Sequence, residues 1–287
     1  MTPNDLFAPS SHKDDLARAA RGDAPSAMRA GYRYLTGLAG KIDREQARAY
    51  LRPAVSAFPA ASAVLAYIDA VDPRISSDAA LKADAMRTLK QAADAGEPVA
   101  QALLGQLYER KRDGLILEVA SAKALYVTAA PKFALAATYL ARRHLRARRR
   151  QDAVTLLTSA VGAGETYAMA DLASVYTREL PRVSRLVKAK QLLRSAAERG
   201  DPRGAYQLGV LYYRDGLRGV LGAHNRAFRL FGRAASTGYP PAKAATGLCF
   251  QNGIGVARDP GRARYWFVRS APYVARVSFI LGLQYQS

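Results

Sequence analysis

Three histidines and one cysteine are the residues best suited to metal or nucleophile chemistry, and their spacing supports neither. His12, His144 and His224 lie far apart, whereas a metal site calls for ligands clustered at short spacing. Cys249 falls on the small-residue face of a helical stretch, Ala242 to Phe250, and reads as a small buried hydrophobe; alone it closes no internal disulfide. Gly253-Ile254-Gly255 is not a phosphate loop, because no strand leads into it and no Lys-Ser or Lys-Thr follows. No acid and base can be paired on one face. The sequence therefore offers no catalytic residue, no metal site and no cofactor site. What it offers is cationic chemistry: 43 lysines and arginines against 23 carboxylates, a formal net charge of +20.

The elements that must carry those charges repeat. A small residue followed at +7 and +8 by two more, and at +11 by glycine, occurs at Ala85, Ala92, Ala93, Gly96. The same spacing returns from Ala153 to Gly164, from Ala189 to Gly200 and from Ala227 to Gly238. Ahead of these stretches stand others with a small residue, a Leu-small pair and an aromatic: Ala100, Leu104, Gly105, Tyr108, and likewise Ala168 to Tyr176 and Gly204 to Tyr212. Each pattern is a helical stripe, and neither helix of a pair can bury its stripe alone. The last full copy, Ala242 to Ala271, shows the plan: a first helix, a turn at Gly253 and Gly255, then a second helix with Asp259 as cap and Pro260 at its first position. Units are expected to start near 26, 61, 100, 131, 168, 204, 242 and 277. The once-per-unit aromatics Tyr34, Tyr108, Tyr139, Tyr176, Tyr212, Phe250 and Tyr285 read as core rather than as a base-stacking ladder.

These residues resemble the Sel-like (Sel1-type) repeat of the tetratricopeptide class. Gly253-Ile254-Gly255-Val256, Asp259, Arg262-Ala263 and Trp266-Phe267 match its pattern almost position for position. The resemblance implies an all-α fold, a right-handed α-solenoid of about seven to eight helix-turn-helix repeats, and a protein that holds other proteins. Within Gly204 to Ala271, the run Leu211 to Gly219 is similar to the repeats of alginate-export scaffold lipoproteins, which implies an envelope scaffold for exopolysaccharide as an alternative. The organisation expected is a tail and capping helix over 1–25, degenerate repeats over 26–96, Sel-like repeats over 97–274 and a half repeat over 275–287.

The charge is uneven. Thirteen basic residues face 11 acidic ones up to residue 96, and 30 face 12 beyond it. The arginines fall between the helical stripes, at Arg110 and Arg112; at Arg142, Arg143, Arg146, Arg148, Arg149 and Arg150; at Arg178, Arg182 and Arg185; and at Arg214 and Arg218. Read as loops joining first to second helices, they predict a basic edge that attracts an acidic protein partner, an acidic polysaccharide or another polyanion, with strong salt dependence. Sequence-specific nucleic-acid binding is not expected. The first-helix positions Gln101, Gln106, Asp171, Ser174, Gln207 and Val210 repeat no chemistry that could form a base-reading code.

The C-terminal residues Phe279, Ile280 and Leu283 end the chain with little polar relief, which predicts either a capping helix or a docking surface. No stretch is long and apolar enough to span a bilayer. The N-terminus carries acidic residues and no apolar core, unlike a signal peptide, so the expected location is cytoplasmic, or periplasmic if the start lies upstream. The function expected is a non-enzymatic scaffold or adaptor in a multiprotein complex, which binds protein partners on its concave surface.

Overall fold

The computed structural model describes residues 2–8, 10–38, 41–72, 78–109, 119–178 and 183–281. Among the described residues there are helices and turns and no strand. A short 3-10 helix (Pro3–Phe7) and α1 (His12–Ala19) precede seven helical pairs. These are α2 (Ala24–Thr36) with α3 (Arg44–Leu51), α4 (Pro59–Val71) with α5 (Ala79–Asp94), α6 (Pro98–Glu109) with α7 (Val119–Ala129), and α8 (Ala134–Arg146) with α9 (Arg150–Gly162). Then come α10 (Thr166–Arg178) with α11 (Val183–Glu198), α12 (Pro202–Leu217) with α13 (Ala223–Ser236), and α14 (Pro240–Asn252) with α15 (Pro260–Val268); α16 (Ala271–Leu281) follows alone. The protein is an all-α helical-repeat solenoid. Its contacts divide it into two compact units, Met1–Ala39 with Asp43–Asp171, and Gly40–Ile42 with Leu172–Ser287.

One junction recurs at four places, after α1, α5, α9 and α11. The second helix ends on a glycine with positive φ, and the next residue is a carboxylate that caps the following first helix. Gly200 (φ 90°) donates to Ala197 O and Asp201 N to Ala196 O, which is the paired hydrogen-bond pattern of a left-handed helix terminus. The Asp201 carboxylate then accepts from Arg203 N at 2.9 Å. Gly22-Asp23, Gly96-Glu97 and Gly164-Glu165 repeat the arrangement, with Glu165 accepting from Tyr167 N at 2.8 Å and Ala168 N at 2.7 Å. At the end of α9 and α11, then, one short linker both stops a helix and starts its successor.

Within a hairpin, the small residues of the first helix let the two backbones approach. A Cβ placed on Gly209 would stand 2.6 Å from the Phe231 ring, and one on Gly105 would stand 2.7 Å from the Tyr126 ring. Both rings are fully buried. In these hairpins the aromatic of the second helix thus fills the space the glycine leaves, as Phe267 does at Gly247, whereas Leu51 takes that place at Gly31.

Three features differ from the sequence expectation. The α8 unit is displaced: His144, not Tyr139, is the eleventh residue of its helix, where Tyr34, Tyr108, Tyr176, Tyr212 and Phe250 stand in theirs. Those four tyrosines are half-buried rather than core, while Tyr139 is buried on another face of α8. Tyr285 lies outside the described residues.

The α16 helix begins at Ala271, six residues before the expected 277. It buries Val274, Val277 and Leu281 in the core formed by α12 to α15, so it closes that core, while Phe279 points out at 87% exposure.

The N-terminal segment is no loose tail. Leu6 and Phe7 are buried, and the Phe7 ring stacks on Phe133 at 5.7 Å and meets Tyr32 edge-on at 5.9 Å. Asn4 Oδ1 accepts from Ala134 N at 2.8 Å, capping α8, whose own N-cap residue Phe133 makes no capping bond.

Candidate functional site

The predicted basic edge changes character once its arginines are placed. Arg142, Arg143 and Arg146 belong to α8, Arg178 to α10, Arg185 to α11 and Arg214 to α12, so these are helical residues and not loop residues. Arg148 lies in the turn after α8, Arg149 and Arg150 begin α9, and Arg218 caps α12. Arg142 and Arg143 are committed to ion pairs: Arg142 Nε meets Asp171 Oδ2 at 2.6 Å, and Arg143 donates to Glu109 Oε1 at 2.7 Å. Arg146 approaches the same Glu109 oxygen at 3.7 Å from an exposed position. Arg148, Arg149, Arg150, Arg178, Arg214 and Arg218 are exposed and Arg185 is half-buried. Arg110, Arg112, Arg182 and Leu283 lie outside the described residues, as does the side chain of Ile280.

The histidines and the cysteine are packed groups. His12 rests edge-on against Tyr34 at 4.9 Å, and burial lowers its pKa, as it does that of His144, which sits 3.4 Å from Asp152 Oδ2. The His224 ring lies tilted against Tyr213, centroids 5.5 Å apart. Cys249 is fully buried, and desolvation pushes its thiol up to about 12. No group of three or more His, Cys, Asp or Glu among the described residues could hold a metal ion.

In the unit that includes Leu172–Ser287, the first helices frame an open cleft of about 560 Å³. Its cations are Arg178 from α10, Arg214 from α12 and Arg276 from α16, and no carboxylate among the described residues lines it. None of the three has an ion-pair partner among the described residues. Arg178 and Arg214 are each the thirteenth residue of their helix, so they occupy one register position on successive first helices. Tyr206, Tyr239 and Tyr273 form the aromatic wall, with the Tyr206 and Tyr239 rings 5.8 Å apart, and Ser174 hydrogen-bonds Gln207 at 3.0 Å across the floor.

The least satisfied group in the cleft is the Tyr206 hydroxyl. The residue is 7% exposed and its oxygen has no hydrogen-bond partner among the described residues. Burial, and then the neighbouring Tyr239, push its pKa up to about 12 against the pull of Arg276 and Arg214. The hydroxyl therefore stays protonated and available as a donor. Of the cleft's cations, Arg178 and Arg214 belong to the expected basic edge, on helices rather than in loops, whereas Arg276 and the three tyrosines lie outside it. The recurrence of arginine at the thirteenth position was the available signal, since that register belongs to a helix face.

Residues 24–57, 166–201, 202–239 and 240–271 each match the Sel1 repeat, and these bounds coincide with the pairs α2–α3, α10–α11, α12–α13 and α14–α15. The chain carries four Sel1 repeats. Among solved structures, a Sel1 repeat protein from Oxalobacter formigenes is 26% identical with a TM-score of 0.56, over 74% of this chain and 86% of that one. A protective antigen of uropathogenic Escherichia coli displaying an SLR fold has a TM-score of 0.58 at 19% identity, over 96% of this chain and 61% of that one. An immunity protein of Pseudomonas aeruginosa has a TM-score of 0.50 at 16% identity, over 68% of this chain and 75% of that one. Among curated proteins, chitin synthase regulatory factor 3 of Schizosaccharomyces pombe is 31% identical over 70 residues, 24% of this chain and 8% of that protein's length. Sel1 repeats are generally protein-interaction scaffolds, and no helix among the described residues is long and apolar enough to cross a membrane.

Proposed function

We propose that this chain is a non-enzymatic scaffold whose cleft in the Leu172–Ser287 unit holds a segment of a protein partner. The observation that carries the reading is the cleft itself. It is open, lined among the described residues by three tyrosines and three arginines with no acidic residue, and two of its bounding helices, α12 and α14, are packed on their partners by glycine-aromatic contacts. Aromatic and arginine side chains combine large contact area with directed hydrogen bonding, which suits them to anchor a protein interface. The test is site-specific photocross-linking in the source cell, with a benzophenone amino acid in place of Gln207 inside the cleft and, separately, of Arg229 on α13 outside it. The reading expects one defined protein cross-linked from position 207 and not from 229. Cross-links from 229 alone would move the interface elsewhere.

A second reading keeps the mechanism and changes the partner. The likeness of Gly204 to Ala271 to alginate-export scaffolds, with the short match to a chitin synthase regulatory factor, favours a polysaccharide synthase assembly as the complex served. Identification of the protein cross-linked from position 207 separates the two readings.

A further inference from the structure

We infer that the cleft recognises carboxylates spaced along an extended acidic segment, with Arg178 and Arg214 receiving one acidic side chain, Arg276 receiving another, and the Tyr206 hydroxyl donating into the space between them. The inference rests on the reading of this cleft as the partner-binding surface.

The first argument is the orphaned donor. A buried hydroxyl without a partner is costly, and Tyr206 lines the cleft with none. An acceptor brought by a ligand would satisfy it. The second argument is selective neutralisation. Lys190 pairs with Asp215 at 2.6 Å, so the carboxylate beside Arg214 in sequence is already taken, while Arg178, Arg214 and Arg276 have none among the described residues. Three guanidiniums without an ion pair, around one concavity with no negative lining among the described residues, create a focused positive potential, and each presents a planar fork that fits a carboxylate.

The third argument is spacing. Gln207 and Arg214 both line the cleft from α12, seven residues apart, which is roughly 10 Å along a helix axis. Arg276, the sixth residue of α16, stands at the register of Gln207, and Arg178 stands at that of Arg214. The cations thus occupy two levels of the cleft. An extended chain advances about 3.3 Å per residue, so acidic residues three apart reach both levels, whereas a single phosphate reaches one.

The experiment is fluorescence anisotropy on the full chain at low salt. The probe is a fluorescein-labelled dodecapeptide with Glu at every third position and Gly or Ser between. Two control peptides replace Glu with Gln or with a single central phosphoserine. The protein variants are the Arg178→Gln/Arg214→Gln/Arg276→Gln triple, Tyr206→Phe, and an Arg226→Gln/Arg229→Gln/Arg233→Gln triple that removes the same charge from α13. The expected result is binding of the Glu peptide and not of the Gln peptide. Affinity should fall at least about tenfold for the cleft triple, about threefold for Tyr206→Phe, and less than about threefold for the α13 triple. Equal losses for the two triples would show net charge rather than a site, and tighter binding of the phosphoserine peptide would overturn the carboxylate assignment. If a protein is cross-linked from position 207 while the Glu peptide fails to bind, the acidic-segment inference falls and the scaffold reading stands.

Discussion

Gly255 lies against the backbone of His224. A Cβ there would stand 2.5 Å from the His224 carbonyl carbon and 2.8 Å from Asn225 N, so the turn between α14 and α15 seats directly on the start of α13. Gly253, two residues earlier, has the same left-handed conformation but only ordinary contacts, the nearest at 3.7 Å. Backbone cannot move aside as a side chain can. Gly253→Ala should cost about 1 kcal/mol, the penalty of a left-handed L-residue, and Gly255→Ala about 3 kcal/mol, because it adds a clash. Urea midpoints of the two variants check this, and equal losses would contradict the stacking contact.

Arg148 makes the opposite case. It ends α8 in the left-handed conformation, φ 58°, with its N–H bonded to Leu145 O and that of Arg149 to His144 O, the pattern that glycine serves after α5, α9 and α11. The side chain is exposed and gains nothing there to offset the backbone strain. Arg148→Gly should raise stability by about 0.5–1 kcal/mol, read as a higher melting temperature.

The contrast between these positions shows what was legible in the sequence. The hairpins were, because glycine, small-residue and aromatic spacing is set by contacts within one repeat, a few dozen residues apart. The α8 register was not, since Arg148 replaces the glycine that marks its neighbours and Tyr139 mimics the missing aromatic. The cleft was half legible. Arg178 and Arg214 recur with the repeat, whereas Arg276 enters from α16, whose start the repeat spacing placed six residues too late. The expected edge of arginines does not extend to Arg142 and Arg143, because their carboxylates, on α10 and α6, belong to the neighbouring repeats, and spacing within one repeat does not show which side chains meet between repeats.

The N-terminal segment is the clearest long-range contact, and it can be tested alone. Phe7 is 7% exposed between Tyr32 and Phe133, so Phe7→Ala should cost about 3 kcal/mol through lost transfer energy and a residual cavity. Asn4→Ala removes only the cap on Ala134 and should cost about 1 kcal/mol. Chemical denaturation of both variants decides whether residues 3–7 are part of the fold; wild-type midpoints for both would show that they are not.

Cys249 gives a prediction in pH. Its thiol is held near 12 by burial, so thiolate is negligible in the native protein at pH 8, and iodoacetamide should label it only under denaturing conditions. The unfolded thiol ionises at its lower ordinary value, so the native state loses stability as pH rises through that value toward 12. Native labelling at pH 8 at the rate of a free thiol would show that the α14 core opens readily.

The arginine run after α8 should not be neutralised as a block. Arg142 and Arg143 are mostly buried and hold Asp171 and Glu109, so changing both to serine removes the shortest ion pair of each carboxylate and should cost about 1–3 kcal/mol. Arg146, Arg148, Arg149 and Arg150 are exposed, and changing those four should cost less than about 1 kcal/mol. The comparison separates folding from binding: a loss of partner or polyanion affinity in the four-residue variant, with its melting temperature intact, reports on the surface, whereas the same loss confined to the Arg142→Ser/Arg143→Ser variant would report only that α8 had lost its anchors.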